Sequence, residues 1–363
     1  MKPLLALGLL ALLSAGCASN TTGVGYYWQS VTGHLKLMKA ARPVDAWLAD
    51  DAATATLKER LALAQRIRQF AVSELALPDN ASYQRYADLQ RKAAVYNVVA
   101  APALSLKLQT WCFPVAGCVG YRGYFLEADA RAFAASLGTE LEVAVYPVQA
   151  YSTLGWMNWA GGDPLLNTFI TYPEGELARI IFHELSHQVV YVQNDTTFNE
   201  SFATTVERLG RERWLARSTD QARSAYAAFD NRRRDFRTLT RSTRERLKLI
   251  YEDATQTDAT KLERKSLVMN DFHTQYAQLK AGWNGYAGYD PFVARANNAS
   301  FAAQAAYDEW VPAFEALFER EGRDFARFYD AVRTLGQRPK DERVAALREL
   351  APSAAITAER DPR

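Results

Sequence analysis

Apolar residues recur at two periods along this chain, and the switches between them divide it into a helical start, a β-rich middle and a helical remainder. Within 44–75, Leu57, Leu61, Ala64, Ile67, Ala71 and Leu75 fall on one helical face, ahead of Pro78. Helices are also expected over 25–40 and 80–91. Runs rich in β-branched and aromatic residues at 95–99, 104–113, 141–146 and 167–172 read as strands, with a helix over 127–137 among them. The last strand leads into Pro173 and Glu174, which suit a first helical turn, so a helix is expected from there to about Val192. A turn at Gln193-Asn194-Asp195 then precedes a second helix from about Thr197 that folds back on the first. After Gly210 the pattern is helical and charged over 222–253, 260–279, 301–321 (broken near Pro312) and 325–335. The fold class expected is α+β, predominantly helical. One domain over 17–350 is helical over 25–91, β-rich over 93–172, carries two helices over 173–210 and is helical over 211–350, with a frayed tail at 351–363.

Charge narrows the partners. The 363 residues sum to +2, with 48% hydrophobic and 23% charged residues, so no electrostatic case exists for nucleic acid or for an anionic surface. Arg232-Arg233-Arg234 is flanked by Asp230 and Asp235 and reads as a solvated face. The chain shows no internal repeat, low-complexity segment or glycine-rich phosphate loop.

The chemistry concentrates where two of the four histidines stand four apart, in His183-Glu184-Leu185-Ser186-His187. This is the HExxH zinc-hydrolase signature. Four helical residues turn through about 400°, so both imidazoles leave one face and fill two of four tetrahedral zinc positions. Glu184 adjoins the first ligand, placed to take a proton from water acidified by the metal. A third ligand is needed, and Glu200 in Phe198-Asn199-Glu200-Ser201-Phe202-Ala203 is the candidate. Two other readings compete with it: Thr197 and Glu200 spell a capping box, and Glu207 lies on the same face as Glu200, as rival ligand or as the carboxylate that orients a histidine.

HELSHQ followed by FNESFATTVERLG resembles the gluzincin metallopeptidases, whose HExxH pairs with an NExxA-type helix. The resemblance implies a zincin-like catalytic unit with a small β-sheet beside the zinc helix, long helical extensions, one Zn2+ and a peptide or protein substrate. By the same analogy the strand expected over 167–172 would pair with substrate backbone. Over nearly its whole length, through FPVAGCVGYRGYF, AYSTLGW and an NNA segment, the chain resembles the bacterial predicted-aminopeptidase lipoprotein family. Only twelve residues separate His187 from Glu200, and no GAMEN-like stretch is present. The family resemblance makes an aminopeptidase the expectation, while these two departures keep an endopeptidase, another amidase or a non-catalytic zinc-containing binding or assembly lipoprotein as alternatives. Peptide hydrolysis needs an oxyanion donor, for which Tyr121, Tyr124, Tyr286 and Tyr289 are candidates. An exopeptidase also needs acceptors for the substrate ammonium, for which Asp290, Asn297 and Asn298 have the right chemistry. Oligomeric state stays open.

At the N-terminus, Lys2 precedes an apolar run over 4–13, too short to span a bilayer, and then Ser14-Ala15-Gly16-Cys17. Residues 1–16 resemble a bacterial lipoprotein signal peptide. That implies lipid on Cys17 and, with Ala18 next, sorting to the outer membrane facing the periplasm. The alternative is a secretory signal cleaved without lipid. Setting Cys17 aside leaves Cys112 and Cys118, able to close a loop containing Pro114 and Gly117 in an oxidising compartment, or to stay as two thiols. Neither has a nearby histidine or CxxC partner, so neither reads as a zinc ligand.

Overall fold

A computed structural model describes residues 23–113, 117–153, 155, 158, 161–305 and 309–351. The expected signal peptide over 1–16, Cys17 and the tail from 352 lie outside the described residues. The fold is α+β and predominantly helical.

The chain opens with helix α1 (Gly23–Ala40), strand β1 (Arg42–Pro43) and helix α2 (Val44–Leu48). Helix α3 (Ala55–Leu75) starts only after a turn, so the continuous helix expected over 44–75 is broken. Local side chains cause the break: Asp50 Oδ1 accepts from Ala52 N–H at 2.9 Å, and Thr54 caps α3 by accepting from Leu57 N–H at 3.2 Å. The helix expected over 80–91 is absent. Asn80 Oδ1 accepts from Ser82 N–H, Tyr83 takes φ 64°, and strand β2 (Arg85–Ala87) follows. Carbonyls that a helix would have used are taken by α3, with Arg68 donating to Ser82 O and Gln65 to Tyr83 O.

Strands β3 (Val95–Pro102), β4 (Trp111–Phe113), β5 (Gly117–Val119) and β6 (Arg122–Tyr124) come next, then helix α4 (Glu127–Ser136), β7 (Leu141–Val148) and β8 (Leu165–Leu166). Two expected strands shrink. Of 104–113 only β4 is extended, because the chain turns at Pro102, whose carbonyl accepts from Ser105 N–H. Residues 167–172 form turns after β8, since the Asn167 side chain accepts from Leu89 N–H and donates to Arg91 O, and Phe169 and Ile170 N–H bond back to Leu166 O. The substrate-pairing strand expected there is therefore not formed. The sheets run β1-β2-β8, with β2 and β8 parallel, an antiparallel β6-β3-β7, and the β4-β5 hairpin. Central β3 is covered on both faces: Val98 packs with Tyr124, Ala130 and Phe133, while Val99 and Ala101 pack with Ala299 on the other side.

Helices α5 (Glu174–Ser186) and α6 (Thr196–Ala216) lie against each other. They are followed by α7 (Asp220–Glu252), α8 (Asp258–Gly282), α9 (Asp290–Val293), α10 (Asn298–Ala305), α11 (Val311–Arg320), α12 (Phe325–Gly336) and α13 (Lys340–Leu350). Helix α5 is the hub, with Leu177, Ala178, Ile181, Phe182 and Leu185 all buried without solvent contact. They join one core with Phe70 of α3, Phe198 and Phe202 of α6, and Phe314 and Phe328 of α11 and α12. Each of these leucine, isoleucine and phenylalanine side chains contributes about 1.5–3 kcal/mol by burial, so the helix that carries the paired histidines is among the most firmly held. Among the described residues no helix is long and apolar enough to cross a membrane.

Candidate metal centre

Helix α5 ends at Ser186, short of the Val192 expected. The Ser186 hydroxyl donates to His183 O at 2.6 Å, and Val189 and Val190 N–H both close on Ser186 O. His187 at the C-cap keeps helical torsions (φ −60°, ψ −22°), so the four-residue spacing still puts both rings on one face. Their Nε2 atoms are 3.3 Å apart.

Glu200 arrives from α6, the helix that leads away from the opposite side of a short connection. Asn199 ties that connection down, its amide accepting from Val192 N–H and donating to Val192 O, both at 2.8 Å. The N-cap of α6 is Asp195, which accepts from Phe198 N–H, so Thr197 lies inside the helix and no capping box engages Glu200. Its Oε2 sits 3.3 Å from His183 Nε2 and 3.9 Å from His187 Nε2. Donors about 2.1 Å from a tetrahedral zinc are separated by about 3.4 Å from each other; the two separations at His183 Nε2 are 3.3 Å, and the third, from Glu200 to His187, is wider at 3.9 Å.

The surroundings fit a cation in that space. Among the described residues His187 Nδ1 is buried with no hydrogen-bond partner, and the buried Glu200 Oε2 faces the two Nε2 atoms. Burial holds the His187 pKa down to about 4, leaving a neutral imidazole. Burial also opposes a charge on His183, but Glu200 on one side and Glu207 on the other outweigh it and push its pKa up to about 10. A positive charge is thus favoured at His183, and a metal at Nε2 would satisfy the same carboxylates as a proton.

Glu207 is not within the three-residue ligand cluster. Its Oε2 accepts from His183 Nδ1 at 2.9 Å and from Arg179 Nη1 at 2.6 Å. Held by its Nδ1, the His183 ring turns Nε2 toward Glu200 and His187. Burial acts to raise the Glu207 pKa, yet Arg179 and His183 overcome it and hold the carboxyl far below its usual range. The chain of charge continues outward, Arg179 to Glu176 at 2.6 Å and Glu176 to Arg233 of α7 at 3.1 Å. Arg233 is therefore part of a buried network and Arg232 stacks on the Tyr286 ring, so that only Arg234 keeps the exposure expected of all three.

Glu184 points to the other wall of the site. Burial, with the charges of Glu200 and Asp163, pushes its pKa up to about 7 against the opposing pull of His183 and the Ser152 hydroxyl. Tyr83 is fully buried there with its hydroxyl unpartnered, and its pKa is raised by burial and by Glu184 and Asp163. None of Tyr83, Ser152 and Asp163 was legible in the sequence, because each reaches Glu184 across a non-local contact.

Of the four tyrosines considered, Tyr121 is the one whose phenol feels the site. Its pKa is raised by desolvation first, then by Glu200, Tyr191, Tyr146 and Glu184, although 38% of the residue's surface is exposed. Tyr146 and Tyr191 join it through the charge of Glu200 and were not anticipated. Tyr191 follows His187 by four residues, a spacing that could have pointed to it, although the structure places it past the end of α5. The other candidates are engaged elsewhere. Tyr124 is buried with Phe133, Tyr289 stacks on Phe236 at 4.0 Å, and Tyr286 lies under Arg232.

The ammonium acceptors are also committed to other tasks. Asp290 pairs with Lys280 at 2.6 Å, Asn297 caps Ser300 and donates to Val143 O, and Asn298 is fully buried, donating to Pro102 O and Ala103 O. Cys112 and Cys118 are disulfide-bonded and face each other across β4-β5. Cys118 N–H donates to Asn194 Oδ1 at 2.8 Å, which docks this hairpin on the α5–α6 connection three residues before Tyr121.

A family model described as "Putative aminopeptidase" matches residues 25–347 of the chain. No curated protein and no solved structure matches it.

Proposed function

The chain belongs to the putative aminopeptidase family, and from that premise we propose that it is a zinc-dependent peptidase with His183, His187 and Glu200 as ligands. The observation that carries the reading is the set of three donor atoms within 4.8 Å of one another, two of them imidazole nitrogens, with Glu184 beside them. A zinc ion in such a set supplies polarisation of a carbonyl and a lowered water pKa.

The chain's own groups do the rest. Glu184 takes the proton of the attacking water and returns it to the leaving amine, a task suited to a carboxylate whose pKa lies near neutrality. The Tyr121 phenol, kept protonated by its surroundings, donates to the oxygen on which charge develops. Glu207 holds the His183 ring by its Nδ1 and so fixes which nitrogen faces the metal. In keeping with the family description we assign cleavage at peptide N-termini. On the resemblance of residues 1–16 to a lipoprotein signal peptide we place the enzyme at the periplasmic face of the outer membrane, tethered by lipid on Cys17.

Elemental analysis of the purified protein tests the reading. About one zinc per chain is expected, lost in His183→Ala and in His187→Ala. Glu184→Gln should keep the metal and lose about a hundredfold or more in peptide turnover. A native protein without zinc that still turns over, or full activity in Glu184→Gln, would refute it.

A further inference from the structure

Helix α1 is amphipathic in an unusual sense: its outer face is apolar. At about 100° per residue Tyr27, Val31, Leu35 and Trp28 fall within one stripe about 100° wide. They are 46%, 54%, 59% and 68% exposed, and Leu126, 56% exposed, lies across a shallow groove from Trp28. The opposite face is locked to the body. Gln29 bonds both Gly123 O and Phe125 N–H, Leu37 is buried, and Gly33 lies so close to Phe125 that a Cβ there would come within 2.2 Å of the ring. The helix therefore cannot turn its stripe inward.

We infer that this stripe docks on the surface of a phospholipid bilayer. The inference rests on the lipid anchor proposed at Cys17, which stands six residues before α1. Six residues reach at most about 20 Å, so the anchor would hold the helix within contact distance of the headgroups. The stripe has interfacial chemistry, an indole and a phenol beside two aliphatic side chains. Although the chain as a whole is nearly neutral, helix α1 contains no acidic residue and carries Lys36 and Lys39 beside the stripe, so this one face is locally basic and suits anionic headgroups. Asp88 and Asp129 lie in the groove behind with Arg91, outside the stripe itself. Docking would also orient the metal centre. His34, on the inner side of α1, bonds the Tyr151 hydroxyl at 3.1 Å, and Tyr151 adjoins Ser152, the hydroxyl neighbour of Glu184.

The test uses mature protein extracted from membranes and reconstituted in phosphatidylethanolamine and phosphatidylglycerol vesicles, with and without brominated acyl chains. Brominated lipid should quench a component of tryptophan emission in the wild type that is missing in Trp28→Phe. Leu35→Ser, at an exposed position that leaves folding intact, should shrink that component severalfold with turnover of a soluble peptide unchanged. Palmitate labelling is read in parallel, so the two ideas fail separately. Labelled protein without Trp28-dependent quenching overturns docking and leaves the anchor. Unlabelled protein that still shows it on added vesicles keeps docking and sinks the anchor. A two-chain mass in vesicle-free solution with Trp28 shielded gives the face to a second copy and overturns the proposal.

Discussion

Arg343 of α13 offers a sharp test of how the candidate third ligand is held. Its guanidinium donates to Asp195 Oδ2 through Nε at 3.0 Å and Nη2 at 2.6 Å, and it also bonds Gly336 O and Arg338 O. Both side chains are nearly sealed, at 5% and 8% exposure. Asp195 in turn caps α6 through Phe198 N–H, five residues before Glu200. Arg343→Met keeps the aliphatic volume and the cap but leaves a buried carboxylate without its cation. Removing one partner of a buried pair costs about 3–5 kcal/mol, and losing the cap as well, in Asp195→Ala, adds about 1.

Urea unfolding at constant m measures the first figure. The double variant Arg343→Met/Asp195→Asn leaves neither charge of this pair and should cost less than Arg343→Met and Asp195→Asn summed, with a coupling of about 1–3 kcal/mol. Because α6 loses its anchor upstream of Glu200, zinc affinity should fall in Arg343→Met although no ligand is changed. A loss in stability below about 1 kcal/mol, or strict additivity in the double variant, would refute the reasoning.

Four further outcomes are expected. Glu207→Gln should weaken zinc binding about tenfold to a hundredfold in competition with a chelator, and unchanged affinity would remove Glu207 from the support of His183. Tyr121→Phe should lower kcat by about a hundredfold with KM little altered, whereas a pure KM effect would make it a binding group. Mapping under non-reducing conditions should find Cys112 linked to Cys118, and reduction should lower kcat because the hairpin leading to Tyr121 loosens; two free thiols in native protein would count against it. N-terminal acetylation should block cleavage of a peptide by an aminopeptidase, and equal rates would establish an endopeptidase, in line with the engagement of Asp290, Asn297 and Asn298 elsewhere.

The contrast between legible and hidden residues follows the range of the interactions. His183, His187 and their partners on α6 were legible because helical periodicity alone aligns them. The end of α5 was not, since it depends on Ser186 taking the His183 carbonyl and on Asn199 holding Val192 seven residues away. The segment 80–91 carries helical propensity, yet Arg68 and Gln65 claim its carbonyls, a contest no local pattern records. The same holds for Tyr121 and Tyr124, three apart in sequence. β6 turns the latter into the core beside Phe133, while the former sits where the disulfide hairpin meets the α5–α6 connection.

How a spacer of only twelve residues suffices is explained by how closely the two helices run. Gly210 makes that approach possible: a Cβ there would come within 2.6 Å of Leu75 and 2.9 Å of Phe182, so α6 lies against α5 where any side chain would hold it off. Glu200 and Glu207, seven residues apart, then share the face turned to α5, about 10 Å apart along the axis. The imidazole of His183 spans part of that gap, meeting Glu200 through Nε2 and Glu207 through Nδ1. One helix face thus supplies both the candidate ligand and the group that sets the tautomer, and Arg179 charges the second carboxylate so that it accepts the Nδ1 proton without taking it. The division of labour between the two glutamates comes from that geometry: Glu207 meets Nδ1 on the far side of the ring from His187, and Glu200 faces both Nε2 atoms with no arginine paired to it among the described residues.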